Sequence, residues 1–91
     1  MNLEHLRQVV DKLNAEIIEL FSERLKVTRE IARLKKQHHL PVCDPAREEE
    51  QRKLLRELAR HHDLNPLIIE EIFTLFVDYS KFNMKMEMGE R

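Results

Sequence analysis

The chain has 91 residues, of which 42% are apolar and 36% are charged, and this length fits one small domain rather than a two-domain enzyme. It has one glycine, three prolines and one tyrosine but abundant leucine, glutamate, arginine and lysine, which favours helices over a β-sandwich or barrel. Sixteen basic and seventeen acidic residues leave a formal charge of −1, so no whole-chain field would attract nucleic acid or an anionic membrane.

Residues 2–37 are predicted to form one long helix, because neither glycine nor proline interrupts them. At ~1.5 Å per residue this helix would be roughly 50 Å long, whereas a compact monomer of this size is about 30 Å across. Apolar residues recur along it at alternating steps of three and four, the spacing of a heptad seam, and we expect a second chain to cover them. The seam consists of Leu3, Leu6, Val10, Leu13, Ile17, Leu20, Val27, Ile31 and Leu34.

Capping residues mark the two helices that follow. The long helix should end within residues 38–41, because proline excludes the α conformation from the residue before it. An N-cap residue followed by proline at the first helical position, as in Asp44-Pro45 and Asn65-Pro66, starts a helix. The sequence thus predicts a short helix that runs to about His61 and a third helix of medium length.

These elements predict a single all-α domain over residues 1–91. Its core should span about residues 3–84, and residues 85–91 are expected to form a flexible tail. The third helix is predicted to carry Ile69, Ile72, Phe73, Phe76 and Val77 on its apolar side.

Arg24 interrupts the apolar seam of the long helix. A guanidinium in such a position is costly unless it is paired, and no acid occupies a neighbouring seam position, so we expect it to bind an anion. Lys35 lies eleven residues further on and therefore on the same face, with Thr28 and Ile31 between the two cations. Arg7 lies about 25 Å before Arg24 along the axis, so it could join only the Arg24 of another chain.

Three charged residues lie at the start of the second helix. Arg47 is in the first turn, where the helix dipole disfavours a cation, so it either helps to bind an anion or forms a surface contact with Glu50 or Gln51. The sequence supports both alternatives equally. Asp44 is first of all a helix cap, and Glu48 is by default a solvated acid.

Other types of site lack the residues they need. The adjacent histidine pairs at 38–39 and 61–62 point apart on a helix and Cys43 has no thiol partner, so we expect neither a metal site nor an internal disulfide. The only glycine is Gly89, which excludes a glycine-rich phosphate loop. Ser80 has no His–Asp relay and is interpreted as a hydrogen-bonding group.

No signal-type apolar block follows the amino terminus, and we expect a cytoplasmic protein.

Several short motifs follow one another along the chain: Leu6-Arg7, Asp11-x-Leu13, Glu23-Arg24, Ile31-Ala32-x-x-Lys35, Leu40-Pro41-Val42, Asp44-Pro45-x-Arg47-Glu48 and Ser80. Their order and spacing, from Leu3 to about Met84, resemble those of the all-helical chorismate mutases. This resemblance implies an intertwined homodimer with two equivalent sites. It also implies the Claisen rearrangement of chorismate to prephenate, on the route to phenylalanine and tyrosine.

The resemblance also implies roles for individual residues. Arg24 and Arg47 resemble the family's carboxylate-binding arginines within one subunit, and Arg7 resembles the arginine that reaches in from the partner chain. Lys35 resembles the lysine that donates a hydrogen bond to the ether oxygen of the substrate. Glu48 resembles the acid that accepts one from the substrate hydroxyl.

Two further residues resemble family positions and one departs from them. Asp44 and Ser80 resemble polar groups that flank the substrate. The position four after Ser80 is usually glutamine or glutamate in the family and also contacts the ether oxygen, but here it is Met84. Asn83 could replace that contact if the end of the helix shifts by one residue.

The mechanism that the resemblance implies needs no cofactor, metal or nucleophile, because arginines hold a dianion in its compact form and a lysine stabilises the breaking C–O bond. Two alternatives remain open. An isochorismate pyruvate-lyase has the same fold and a similar dianion site. A non-catalytic dimeric helical module, with a site that has decayed at Met84, would instead bind or regulate another protein.

Overall fold

The computed structural model describes residues 2–87, which form three α-helices and no strand. They are α1 (Leu3–Gln37), α2 (Pro45–His61) and α3 (Pro66–Glu87). The prediction of an all-α chain with one long, one short and one medium helix is confirmed. The third helix continues three residues beyond its predicted end, so part of the expected tail is helical. The rest of that tail, residues 88–91, lies outside the described residues.

The predicted helix caps are present. Asp44 Oδ1 accepts a hydrogen bond from the backbone N–H of Arg47 at 3.1 Å, and Asn65 Oδ1 accepts one from that of Ile68 at 3.2 Å. Each cap satisfies a donor that the first turn of a helix leaves unpaired, and the proline at the first position has no N–H to satisfy.

The chain leaves α1 and α2 by the same kind of turn. His39 (φ 55°) and Asp63 (φ 57°) adopt the left-handed conformation, which ends a helix because it reverses the direction of the backbone. After α1, the N–H of Leu40 donates back to the carbonyl of Lys35 at 2.8 Å. This turn directs residues 42–44 back alongside the end of α1, where the candidate site lies.

The third helix packs against both of the others, whereas α1 and α2 do not pack against each other anywhere in residues 2–87. Phe76 of α3 contacts Phe21 of α1, with ring centroids 4.6 Å apart. Ala32 is completely buried, and it forms a small core with Val42 of the loop and Met84 of α3. A small side chain on α1 allows the loop and α3 to approach closely there.

The heptad seam of α1 is uncovered in the single chain. Its apolar residues are all exposed, from 41% for Ile31 to 63% for Leu3 and Leu20. The chain measures 55 × 24 × 18 Å and has a radius of gyration of 16.3 Å. A compact domain of this length would have a radius of gyration of ~12 Å. The long helix therefore extends beyond the rest of the chain, as its length predicts.

Candidate active site

Seven of the residues singled out in the sequence line one cleft of about 170 Å³. The cleft lies where α1, the loop that follows it, the first turns of α2 and the second half of α3 meet. The eleven-residue spacing on α1 places its two cations on the same wall, with Thr28 and Ile31 between them as predicted. The seven residues are Arg24, Lys35, Asp44, Arg47, Glu48, Ser80 and Met84.

Arg24 is half-buried and bonded to a neutral group. Its Nη1 donates to Ser80 Oγ at 2.7 Å, and this hydroxyl donates in turn to the carbonyl of Phe76 at 2.9 Å. Ser80 is only 4% exposed, so its position is fixed. Burial lowers the pKa of Arg24 below that of an exposed guanidinium, because removal from water disfavours the charged form. No carboxylate in residues 2–87 forms an ion pair with Arg24, and its charge is available to an anion.

Lys35 is held in the same way. Its Nζ donates to the backbone carbonyl of Val42 at 2.8 Å, across the turn that follows α1. Val42 is buried, so this carbonyl is a fixed acceptor that directs the ammonium towards the cleft. The structure therefore brings together two cations whose partners are a hydroxyl and a carbonyl, which leave their positive charge uncompensated.

Arg47 forms the surface ion pair that was one of the two alternatives, and it also lines the cleft, where the other alternative, anion binding, stays a prediction. The ion pair joins its Nη1 to Glu50 Oε1 at 2.7 Å. Both side chains are more than half exposed, and such a surface pair contributes at most about 1 kcal/mol. A bound anion can compete with this pair at little cost. Asp44 caps α2 and also reaches the wall of the cleft.

Glu48 is not simply a solvated acid, because it forms an ion pair with Lys81 of α3. The sequence analysis did not single out Lys81. One signal could have identified it: Lys81 follows Val77 by four residues, so it is a cation that continues the apolar face of α3. Both partners line the cleft, and both are less than one-third exposed.

The structure brings Met84, and not Asn83, to the cleft. Met84 is 7% exposed, packs with Ala32 and Val42, and lines the cleft. Asn83 does not line the cleft; it accepts a hydrogen bond from Arg29 Nη2 at 3.2 Å and donates one to the carbonyl of Tyr79 at 3.3 Å. The structure therefore gives no support to the idea that Asn83 replaces the missing glutamine or glutamate.

Arg7 does not reach the cleft of its own chain. It lies near the start of α1 in a shallow exposed groove with Leu3, Leu6 and Val10. On a straight helix the seventeen residues between Arg7 and Arg24 correspond to about 25 Å. The sequence-based conclusion that Arg7 cannot join Arg24 within one chain is consistent with this placement.

Three further observations on the described residues concern a free thiol, metal binding and membrane-spanning helices. Cys43 is a free, exposed thiol. No group of three or more histidine, cysteine or acidic side chains within residues 2–87 is arranged to bind a metal ion. In the same residues, no helix is both long and apolar enough to cross a membrane.

Comparison with known proteins identifies the family. The family model for type II chorismate mutase matches residues 6–84. The chain is 27% identical over 88 residues to a chorismate mutase of Methanocaldococcus jannaschii, covering 97% of this chain and 89% of that protein. It is 32% identical over 81 residues to the T-protein of Haemophilus influenzae, covering 89% of this chain but only 22% of that protein. A bifunctional chorismate mutase/prephenate dehydratase of Aquifex aeolicus is 38% identical over 48 residues, which are 53% of this chain and 13% of that protein. A match over most of its length therefore shows that the chain belongs to the type II chorismate mutase family of isomerases.

Proposed function

We propose that this protein converts chorismate to prephenate. The observation that carries the proposal is the pair of cations on one wall of the cleft, Arg24 and Lys35, each bonded only to a neutral oxygen. Chorismate carries two carboxylates, and a site that offers uncompensated positive charge on fixed side chains suits such a dianion. The family membership and the relatives named chorismate mutase support the same assignment.

In the proposed mechanism the protein orients the substrate and stabilises charge. The reaction is intramolecular: the ether C–O bond breaks while a C–C bond forms, and no proton or electron is exchanged with the protein. Arg24 and Arg47 bind the carboxylates and hold the substrate in its compact diaxial form. Lys35 donates to the ether oxygen, where negative charge grows in the transition state. Glu48 accepts a hydrogen bond from the substrate hydroxyl, and Asp44 and Ser80 complete the polar wall.

We further propose that the active protein is an intertwined homodimer. The exposed apolar seam of α1 would be buried by packing against another apolar surface. A second copy of α1 has a complementary apolar stripe of the same length. In such a dimer Arg7 of one chain would enter the cleft of the other. Each site would then be made of residues from both chains.

The oligomeric state can be measured directly. Sedimentation or light scattering at micromolar concentration should give a single species of about twice the 11.0 kDa chain mass. We expect a dimer because an unpaired seam would leave apolar surface exposed to water along the whole length of α1. A monodisperse species with the mass of one chain would contradict the dimer and the assignment of Arg7 to the partner's site.

Replacing Met84 by glutamine should increase kcat by about 10-fold. The glutamine amide can donate a hydrogen bond to the ether oxygen, and this bond becomes strong only in the transition state, where negative charge develops on that oxygen. Met84→Leu is the matched control, since it keeps an apolar side chain of similar size, and it should leave kcat within about twofold of the parent. The glutamine variant should also be less stable by about 1 kcal/mol, because a polar group enters a buried position. An unchanged kcat for Met84→Gln, or a change confined to KM, would contradict the proposed place of residue 84 beside the ether oxygen.

The function itself is tested by product analysis. Purified protein is incubated with chorismate and, separately, with isochorismate, and the products are resolved by chromatography. Prephenate from chorismate is the expected result. Pyruvate and salicylate from isochorismate would instead support the lyase alternative. No turnover of either substrate by a folded dimer would support a binding or regulatory module.

A further inference from the structure

The cleft contains a cation that the family resemblance did not assign, Lys81. Its Nζ forms an ion pair with Glu48 Oε1, and this pair joins the first turn of α2 to the last third of α3. Both residues also line a second, smaller cleft of about 90 Å³ between α2 and α3. The ion pair is therefore part of the boundary between the two clefts, together with Gln51 and Val77, and Glu48 borders both of them.

The neighbouring charges favour this pairing over others. Arg52 is one helical turn from Glu48, but its Nε and Nη2 both donate to Glu49 Oε2, at 3.1 and 2.7 Å. Asp78 is one turn before Lys81, and it lines only the smaller cleft. The hydrogen bond to Glu48 is the largest cause that raises the pKa of Lys81, burial opposes it, and the charges of Glu48 and Asp78 raise the pKa further. Lys81 thus remains an ammonium and Glu48 its main partner.

The charge count of the cleft also depends on this lysine. Four cations and two acids of the described chain line it, a net charge of +2 that matches a dianionic substrate. Without Lys81, the carboxylate of Glu48 would face the incoming dianion with no compensating charge in contact. Repulsion between like charges in a partly desolvated site would then weaken substrate binding or turn Glu48 out of the cleft.

We propose that Lys81 is a positioning residue: it holds Glu48 Oε1 so that Oε2 faces the catalytic cleft and can accept the substrate hydroxyl. This inference rests on the proposed function, because it assigns a task to Glu48 in that reaction. A glutamate side chain has three rotatable bonds, and one strong charge-assisted contact restricts them before substrate arrives. Lys81 itself is not required to touch the substrate.

A double-mutant cycle tests the inference. In the wild-type background, Lys81→Met should lower kcat/KM by about 10-fold, whereas in the Glu48→Gln background it should lower kcat/KM by less than about twofold. The neutral amide leaves no carboxylate for Lys81 to hold. Lys81→Arg should restore kcat/KM to within about threefold of the parent, because a guanidinium also donates to a carboxylate. Lys85→Met, one turn further along α3 and exposed, is the matched control and should have no effect.

Thermal unfolding of each variant shows whether a folded protein is being assayed. If Lys81→Met does not fold, Lys81→Gln removes the charge with less loss of polarity and completes the same cycle. An equal effect of the Lys81 substitution in both backgrounds would overturn the inference while the proposed function stands. If the wild-type dimer converts no chorismate, the proposed function fails, and the role given to Lys81 in catalysis fails with it.

Discussion

Replacement of Lys35 by methionine should lower kcat by about 100- to 1000-fold, because a preorganised donor to developing negative charge typically contributes ~3 kcal/mol to transition-state stabilisation. The side chain has a second, structural task, since its Nζ also bonds to the carbonyl of Val42. Loss of that bond should cost about 1 kcal/mol of stability, which does not unfold a dimer and does not account for the loss of turnover.

The neighbouring Lys36 provides the matched control for this experiment. It is exposed and lies about 100° further around α1, outside the lining of the cleft. Steady-state kinetics of Lys36→Met should agree with those of the parent within about twofold. If Lys35→Met keeps its melting temperature and its kcat, then the ether oxygen is not bound by Lys35 and the proposed mechanism is wrong.

Subunit complementation should give the second large effect. In the proposed dimer, the Arg7→Ala and Arg24→Ala variants should each be nearly inactive, because every site would lack one of the arginines proposed to bind the carboxylates. When the two variants are unfolded together and refolded, about a quarter of the wild-type activity per chain should return. Half of the dimers formed at random are mixed, and each mixed dimer has one site with both arginines and one site with neither.

A different pair of variants controls for non-specific recovery on refolding. Arg24 and Arg47 line the same cleft of one chain, so a mixture of Arg24→Ala and Arg47→Ala should stay inactive, because each site of the mixed dimer lacks one arginine. Mass spectrometry under native conditions verifies that the mixed dimers have formed. Verified Arg7/Arg24 mixed dimers without activity would mean that Arg7 serves its own chain or has a structural role.

Local sequence signals were sufficient to predict the three helices and the placement of some residues of the candidate site. Helix boundaries depend on groups a few residues apart, such as the Asp44 side chain and the N–H of Arg47, so capping residues and prolines predict them from sequence. The angular positions of residues within one helix follow from its 3.6-residue period, which is why Arg24 and Lys35 could be placed on one wall of the cleft. The length of α1 likewise predicted that this helix extends beyond the rest of the folded chain.

Contacts between helices required the tertiary structure. The pairing of Arg24 with Ser80, the ion pair of Glu48 with Lys81 and the choice of Met84 over Asn83 all depend on the rotation of α3 about its axis. That rotation is set by packing, including the contact of Phe76 with Phe21 and the approach of the loop and α3 to a small residue on α1. A turn of α3 by one residue would move each side chain by about 100°. Sequence periodicity fixes angles within a helix but not between helices, and only the packed structure determined which polar groups of α3 reach the cleft.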